Sequence, residues 1–150
     1  MLSRIRVYAS FVRVSHTVFA LPFALSGALM AARSTPITWE RIGWIVLAMV
    51  TARTAAMGFN RIVDAGYDAE NPRTASRELP RNVMSLWEAS WIVVIASISF
   101  IGVAWVLGPL CFALSPLALC IVFWYSLAKR FTTYTQLFLG LALGVAPVGG

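Results

Sequence analysis

Beyond Glu88 the chain carries no aspartate or glutamate, and up to that point it holds only six, against twelve lysines and arginines in all. Charged residues make up 12% of the sequence and hydrophobic ones 59%, with a mean hydropathy of +0.78. Polar surface on that scale cannot cover a water-soluble domain. Histidine occurs once, as His16, and the two cysteines, Cys111 and Cys120, stand nine positions apart with no CxxC spacing. That leaves no ligand set for zinc or an iron–sulfur cluster, and the cysteines read as packing residues. The net charge of +6 is dispersed along the chain rather than gathered on one solvated face, which excludes nucleic acid as a partner. Internal repeats and low-complexity tracts are absent as well.

What the sequence does have is long apolar runs. Stretches at about 14–32, 42–60, 89–107, 110–128 and 134–150 are each long enough to cross a bilayer as a helix. The fold class is therefore an all-α membrane protein with about five transmembrane helices. The fifth run reaches Gly149-Gly150 without a polar flank, so the chain is expected to be cut inside its last span. Residues 1–13 form the lead-in. Leu2, Ile5, Tyr8 and Val12 share one helical face there, which predicts an interfacial helix. The tryptophans fall near span ends, where indole rings anchor at the bilayer surface. Gly140 and Gly144 form a GxxxG packing motif, and Pro22 and Pro147 are expected kinks.

Basic residues set the orientation. Arg4, Arg6 and Arg13 precede the first span, Arg61, Arg73, Arg77 and Arg81 follow the second, and Lys129 and Arg130 follow the fourth. Only Arg33 and Arg41 lie on the other side. The positive-inside rule places the N-terminus and the 61–88 segment in the cytoplasm. Arg53 falls within a span, where it must face the bundle or a wet cavity.

Four of the six acidic residues lie between Asn60 and Pro80, beside the basic cluster. If the second helix continues past residue 60, Asn60, Asp64 and Asp68 sit at i, i+4 and i+8. Each step of four then rotates by only about 40°, so the three oxygens form one stripe. An amide and two carboxylates suit Mg²⁺, a hard cation commonly held by one or two carboxylates plus substrate phosphates. Arg61, Arg73, Arg77 and Arg81 surround the stripe and suit phosphate oxygens, and Lys129-Arg130 return on the same side of the membrane. A metal–diphosphate site is the sharper reading. The plainer one is a solvated loop whose charges pair with each other. His16, near the inner end of the first span, reads as a hydrogen-bonded helix-end residue rather than a base.

These residues resemble the UbiA superfamily of intramembrane prenyltransferases, in particular its 4-hydroxybenzoate polyprenyltransferase branch. The matching pieces are Ser15-His16-Thr17-Val18-Phe19-Ala20-Leu21-Pro22-Phe23, Asn60-Arg61-x-x-Asp64-x-x-x-Asp68 and Asn71-Pro72-Arg73-Thr74-x-x-Arg77-x-Leu79-Pro80. Tyr125-Ser126-x-x-Lys129-Arg130-Phe131-Thr132 and Gln136-x-x-Leu139-Gly140 complete them, in the family's order over almost the whole chain. The resemblance implies a helical bundle around a cavity open to the bilayer. It also implies transfer of a polyprenyl chain from its diphosphate to a small aromatic acceptor in quinone biosynthesis, in a bacterial inner membrane. Asp64 and Asp68 would be the catalytic carboxylates, holding Mg²⁺ with Asn60. Arg61, Arg77, Lys129 and Arg130 would bind the diphosphate. 4-Hydroxybenzoate is the expected acceptor, with a menaquinone precursor as the rival.

The sequence departs from the family in one respect. A second aspartate-rich motif belongs in the later half, and nothing after Glu88 can supply it. The chain is therefore expected to be an N-terminal half with little turnover of its own. A CDP-alcohol phosphotransferase also uses DxxxD, but the remainder of that pattern is missing. A small channel or transporter is the non-enzymatic alternative, and the arginine-rich 71–81 segment suits phosphate better than permeation.

Overall fold

The computed structural model describes residues 2–12 and 38–128, together with Pro22 and Ser26. The described residues are helical or in turns, with no strand among them. A short helix, α1 (Leu2–Val12), is followed by three long ones: α2 (Trp39–Glu70), α3 (Leu86–Leu107) and α4 (Pro109–Ala128). All three long helices have the length and composition to cross a membrane. They cover the expected spans at 42–60, 89–107 and 110–128. The spans expected at 14–32 and 134–150, with His16, Gly140, Gly144 and Pro147, lie outside the described residues.

α2 is much longer than the apolar run that predicted it. Thr38 caps its start, its hydroxyl accepting from the Arg41 N–H at 3.3 Å. Thirty-two residues rise about 48 Å, against roughly 30 Å of bilayer hydrocarbon, so the last turns project beyond the apolar zone. Asn71 ends the helix in an extended conformation (φ −96°, ψ 120°), as the ring of the following Pro72 requires. The stripe Asn60–Asp64–Asp68 thus lies on one continuous helix.

α3 begins with a capping box in which Ser85 and Glu88 exchange hydrogen bonds. Its buried residues, Ala89, Val93, Ala96, Val103 and Ala104, are small and recur along one face. Small residues let helix backbones approach closely in lipid, where apolar burial alone does not drive association. One such close approach is at Gly58 of α2, where a Cβ would lie 2.7 Å from Cγ2 of Val93. Away from that face, Trp91, Val94, Ile95, Ile98 and Trp105 are exposed, as lipid-facing residues should be. Trp39, Trp87 and Trp124, near the other helix ends, are exposed too.

Gly108 turns the chain between α3 and α4 at φ +148°, a conformation L side chains rarely adopt. α4 then packs on α2 and α3 through a second cluster in which Ala55, Ala96 and Leu119 are buried. Phe59 of α2 stacks on Phe123 of α4 with ring centroids 4.4 Å apart. Inside α4, Pro116 removes the N–H that would bond to the carbonyl of Phe112. The buried hydroxyl of Ser115 donates to that same carbonyl at 2.8 Å, so the missing bond is replaced. The Pro22 carbonyl accepts from the Ser26 hydroxyl at 2.7 Å.

Candidate functional site

The loop from Asn71 to Met84 is tightly wound. The Asn71 side chain accepts from the Arg73 N–H at 3.0 Å, and its carbonyl accepts from the N–H groups of Thr74 and Ala75. Thr74 returns its hydroxyl to the carbonyl of Asp68 at 3.1 Å, satisfying one of the open acceptors at the helix end. Further on, the Glu78 carbonyl accepts from Val83 at 3.0 Å, and Asn82 takes the left-handed conformation (φ +54°) that asparagine tolerates. Leu79 and Met84 drop into a core with Phe11 of α1 and Ala89 of α3. Phe11 is wholly buried there while Tyr8 stays exposed, so α1 is docked on the loop by a residue outside the face expected from its apolar pattern.

Two ion pairs tie this loop to α2, and their polarities are opposite. Arg61 of α2 pairs with Glu78 of the loop, and Asp68 of α2 pairs with Arg77 at 2.6 Å. Helix geometry explains the arrangement. Seven residues bring the helix round to within about 20° of the starting direction, so Arg61 and Asp68 share an azimuth facing the loop. Both are buried, at 5% and 7% exposure. Glu78 also accepts from the Ser10 hydroxyl at 2.5 Å, and Arg61 donates to the Ser10 carbonyl at 3.5 Å and lies over the Phe11 ring. Burial by itself would raise the Glu78 carboxyl. The Ser10 hydroxyl, the residue's own backbone N–H and the Arg61 charge outweigh it and hold the group below the ordinary carboxylate range.

The drift along the stripe also separates its ends. Asn60 turns toward α4, its side-chain N–H donating to the Ser126 hydroxyl at 3.4 Å, while Ser126 donates to the Val122 carbonyl at 3.5 Å. Because the Ser126 proton is directed at Val122, its oxygen acts as acceptor and selects the nitrogen end of the amide. The amide oxygen of Asn60 therefore turns away from Ser126. Asp64, between the two, is half-buried. Lys129 and Arg130 lie outside the described residues.

A divalent cation on this stripe would have few protein ligands. No three histidine, cysteine or acidic residues converge on a cage among the described residues. Two carboxylates and an amide oxygen along one helix would leave most coordination positions to water or phosphate, which is how Mg²⁺ usually binds. Two turns before Asn60, on nearly the same azimuth, Arg53 has a buried Nε with no hydrogen-bond partner among the described residues. The sequence pattern did not reveal Glu78 or Ser126 as participants, although both stand inside the motif pieces. Their partners come from distant segments, so no local spacing announces them.

Three membrane-length helices, the longest carrying Asn60, Asp64 and Asp68 beneath an arginine-bearing loop, define a helical membrane protein. Residues 20–150 match the UbiA prenyltransferase family, and the chain belongs to it. A 4-hydroxybenzoate octaprenyltransferase of Vibrio vulnificus is 32% identical over 130 residues, covering 87% of this chain and 45% of that protein. The enzyme of the same name from Vibrio atlanticus is 34% identical over 131 residues, with the same two coverages. Among solved structures, the apo form of a UbiA homolog from Aeropyrum pernix K1 superposes with a TM-score of 0.84 at 38% identity. That match covers 91% of this chain and 49% of the other. The chain thus spans less than half the length of the curated relatives it matches.

Proposed function

We propose that this chain supplies the donor-binding part of a polyprenyltransferase, holding the diphosphate of a polyprenyl donor through Mg²⁺ at the cytoplasmic end of α2. The acceptor is a small aromatic acid, 4-hydroxybenzoate, in quinone biosynthesis at the bacterial inner membrane. The observation that carries the reading is the continuous helix presenting Asn60, Asp64 and Asp68 at its protruding end, beside Arg77. The names of the relatives support the substrate class.

Asp64 and Asp68 would hold the cation with the Asn60 amide oxygen, and Arg77 would engage phosphate oxygens bidentately, with Lys129 and Arg130 sharing the charge. Bound there, Mg²⁺ would offset the negative charge that develops on the departing diphosphate. Arg61, committed to Glu78, would act on the diphosphate through its field and through the loop it anchors. The apolar faces of α2, α3 and α4 would hold the prenyl tail and keep water from the allylic cation. The orphaned Nε of Arg53, deeper on the same azimuth, is suited to an acceptor carboxylate.

Binding of geranyl diphosphate to the chain in detergent micelles, with and without Mg²⁺, tests this reading. Native protein should bind only with the cation, and Asp64→Ala and Asp68→Ala should each lose that binding. Equal binding by native protein and both variants would remove the assignment. A channel would show no such dependence.

A further inference from the structure

The two crossed ion pairs restrict what the site can accept. Residue 78 is fixed from three directions: Arg61 and Ser10 hold its carboxylate, and its carbonyl is bonded to Val83. Arg77, its immediate neighbour, therefore has its backbone held over the end of α2. Its guanidinium sits 2.6 Å from Oδ2 of Asp68, a carboxylate with only 10% of its side chain exposed. A bare divalent cation that engages Asp68 must displace Arg77. The tethered guanidinium then stays close by, without its counter-ion, and repels the newcomer across a site with little water to screen it.

A cation that arrives with phosphate oxygens meets neither obstacle. Arg77 moves from carboxylate to phosphate and keeps a charge-assisted hydrogen bond throughout, while Asp68 is released to the metal. We propose that Arg77 is a specificity-determining residue that, by occupying Asp68, makes the site take a divalent cation as its diphosphate complex and discriminate against the bare ion. The inference rests on the metal–diphosphate reading above, and it assigns the order of events within it: phosphate contact by Arg77 accompanies metal contact by Asp68. Binding of the two ligands is then coupled, and the coupling must be reciprocal.

Mn²⁺ binding to the 150-residue chain in detergent micelles, followed by the paramagnetic resonance signal of the free ion, tests the exchange. One titration uses Mn²⁺ alone and the other the preformed Mn²⁺–pyrophosphate complex. Arg77→Gln should bind bare Mn²⁺ at least about fivefold more tightly than the native chain, and should bind the complex more weakly. Arg77→Met, of similar length and without charge, should behave the same way, so a folding defect peculiar to one variant does not decide the outcome. Arg81→Gln removes an equal charge from an arginine outside the ion pairs found among the described residues, and should move bare-ion affinity by less than about twofold. Unchanged or weaker bare-ion binding in both Arg77 variants, with Asp64→Ala still losing the ion, overturns the exchange and leaves the metal reading standing. Mn²⁺ binding indifferent to Asp64→Ala in both titrations overturns the metal reading and the exchange together.

Discussion

Glu78 and Arg61 form an ion pair enclosed on three sides, with 12% and 6% of their side chains exposed. α2 contributes the cation and the loop the anion, while α1 closes the top through Ser10 and Phe11. Each charge has its opposite and additional hydrogen bonds, which is the condition for an enclosed pair to be tolerated. The more exposed pair between Arg4 and Glu88, at 2.9 Å, adds little by comparison. The enclosed pair joins α1 and the loop to α2 one residue from Arg77, whose own pair with Asp68 is the second tie.

Removing one member should therefore be far worse than removing both. Glu78→Ala leaves Arg61 enclosed without its counter-ion and should destabilise the chain by about 3 kcal/mol or more. Glu78→Gln keeps hydrogen-bond acceptors for Ser10 and Arg61 and should cost about half as much. The double change Arg61→Met with Glu78→Met should recover most of the loss. Unfolding in mixed micelles, followed by circular dichroism, gives the comparison; a double variant as unstable as the sum of the singles would contradict it.

The same pair gives the protein an acid limit. The Glu78 carboxyl is held below its ordinary value in the folded chain, so the unfolded chain binds its proton more readily. The stabilisation is complete above the unfolded value of about 4.3 and is lost as pH falls through the lower folded value. Unfolding temperature should be flat from neutrality to about pH 5 and should fall below about pH 4. Glu78→Gln should flatten the acid limb, and a limb of unchanged steepness would assign it to another group.

Gly58 lets α2 and α3 approach closely. An added methyl would lie 2.7 Å from a branch of Val93 and 3.4 Å from Cε1 of Phe11. Val93 is stiff at χ1 and cannot swing aside cheaply. Gly58→Ala should destabilise the helix pair by about 1–3 kcal/mol, and Val93→Ala in the same chain should return much of that. Measured additivity of the two changes would show that the helices separate instead of relieving one contact.

The helices were legible because apolar runs and proline boundaries are local signals. Nothing in the spacing of residues 60–70 interrupts α2, and Asn71-Pro72 stops it where the preceding-proline rule requires. The stripe was legible for the same reason, since periodicity on one helix needs no partner. Glu78 was not, because its partners sit 68 and 17 positions away, at Ser10 and Arg61. Nor did periodicity show that Asp68 would turn to the loop while Asn60 turned to α4. The drift of about 40° per step decides that, and it matters only once neighbours exist on both sides. Phe11 was hidden in a different way: it lies outside the face that Leu2, Ile5, Tyr8 and Val12 define, yet it is the wholly buried residue of α1, with Val12 packed alongside.

Ser115 shows how a proline is accommodated inside a membrane helix, and it yields the sharpest cycle. Pro116 takes away the N–H due to the Phe112 carbonyl, and the Ser115 hydroxyl restores a donor at 2.8 Å. Lipid offers that carbonyl no water, and Ser115 is 2% exposed within the bundle. Ser115→Ala alone should therefore cost about 1–2 kcal/mol. With Pro116→Ala in place the backbone N–H of residue 116 can reach Phe112 itself, so the hydroxyl becomes redundant. In that background Ser115→Ala should cost no more than about 0.5 kcal/mol, the level at which independent changes add within error. The coupling measured by unfolding of all four chains is the readout. A serine effect of equal size with and without the proline would mean that the hydroxyl serves the helix packing and not the carbonyl that the ring orphans.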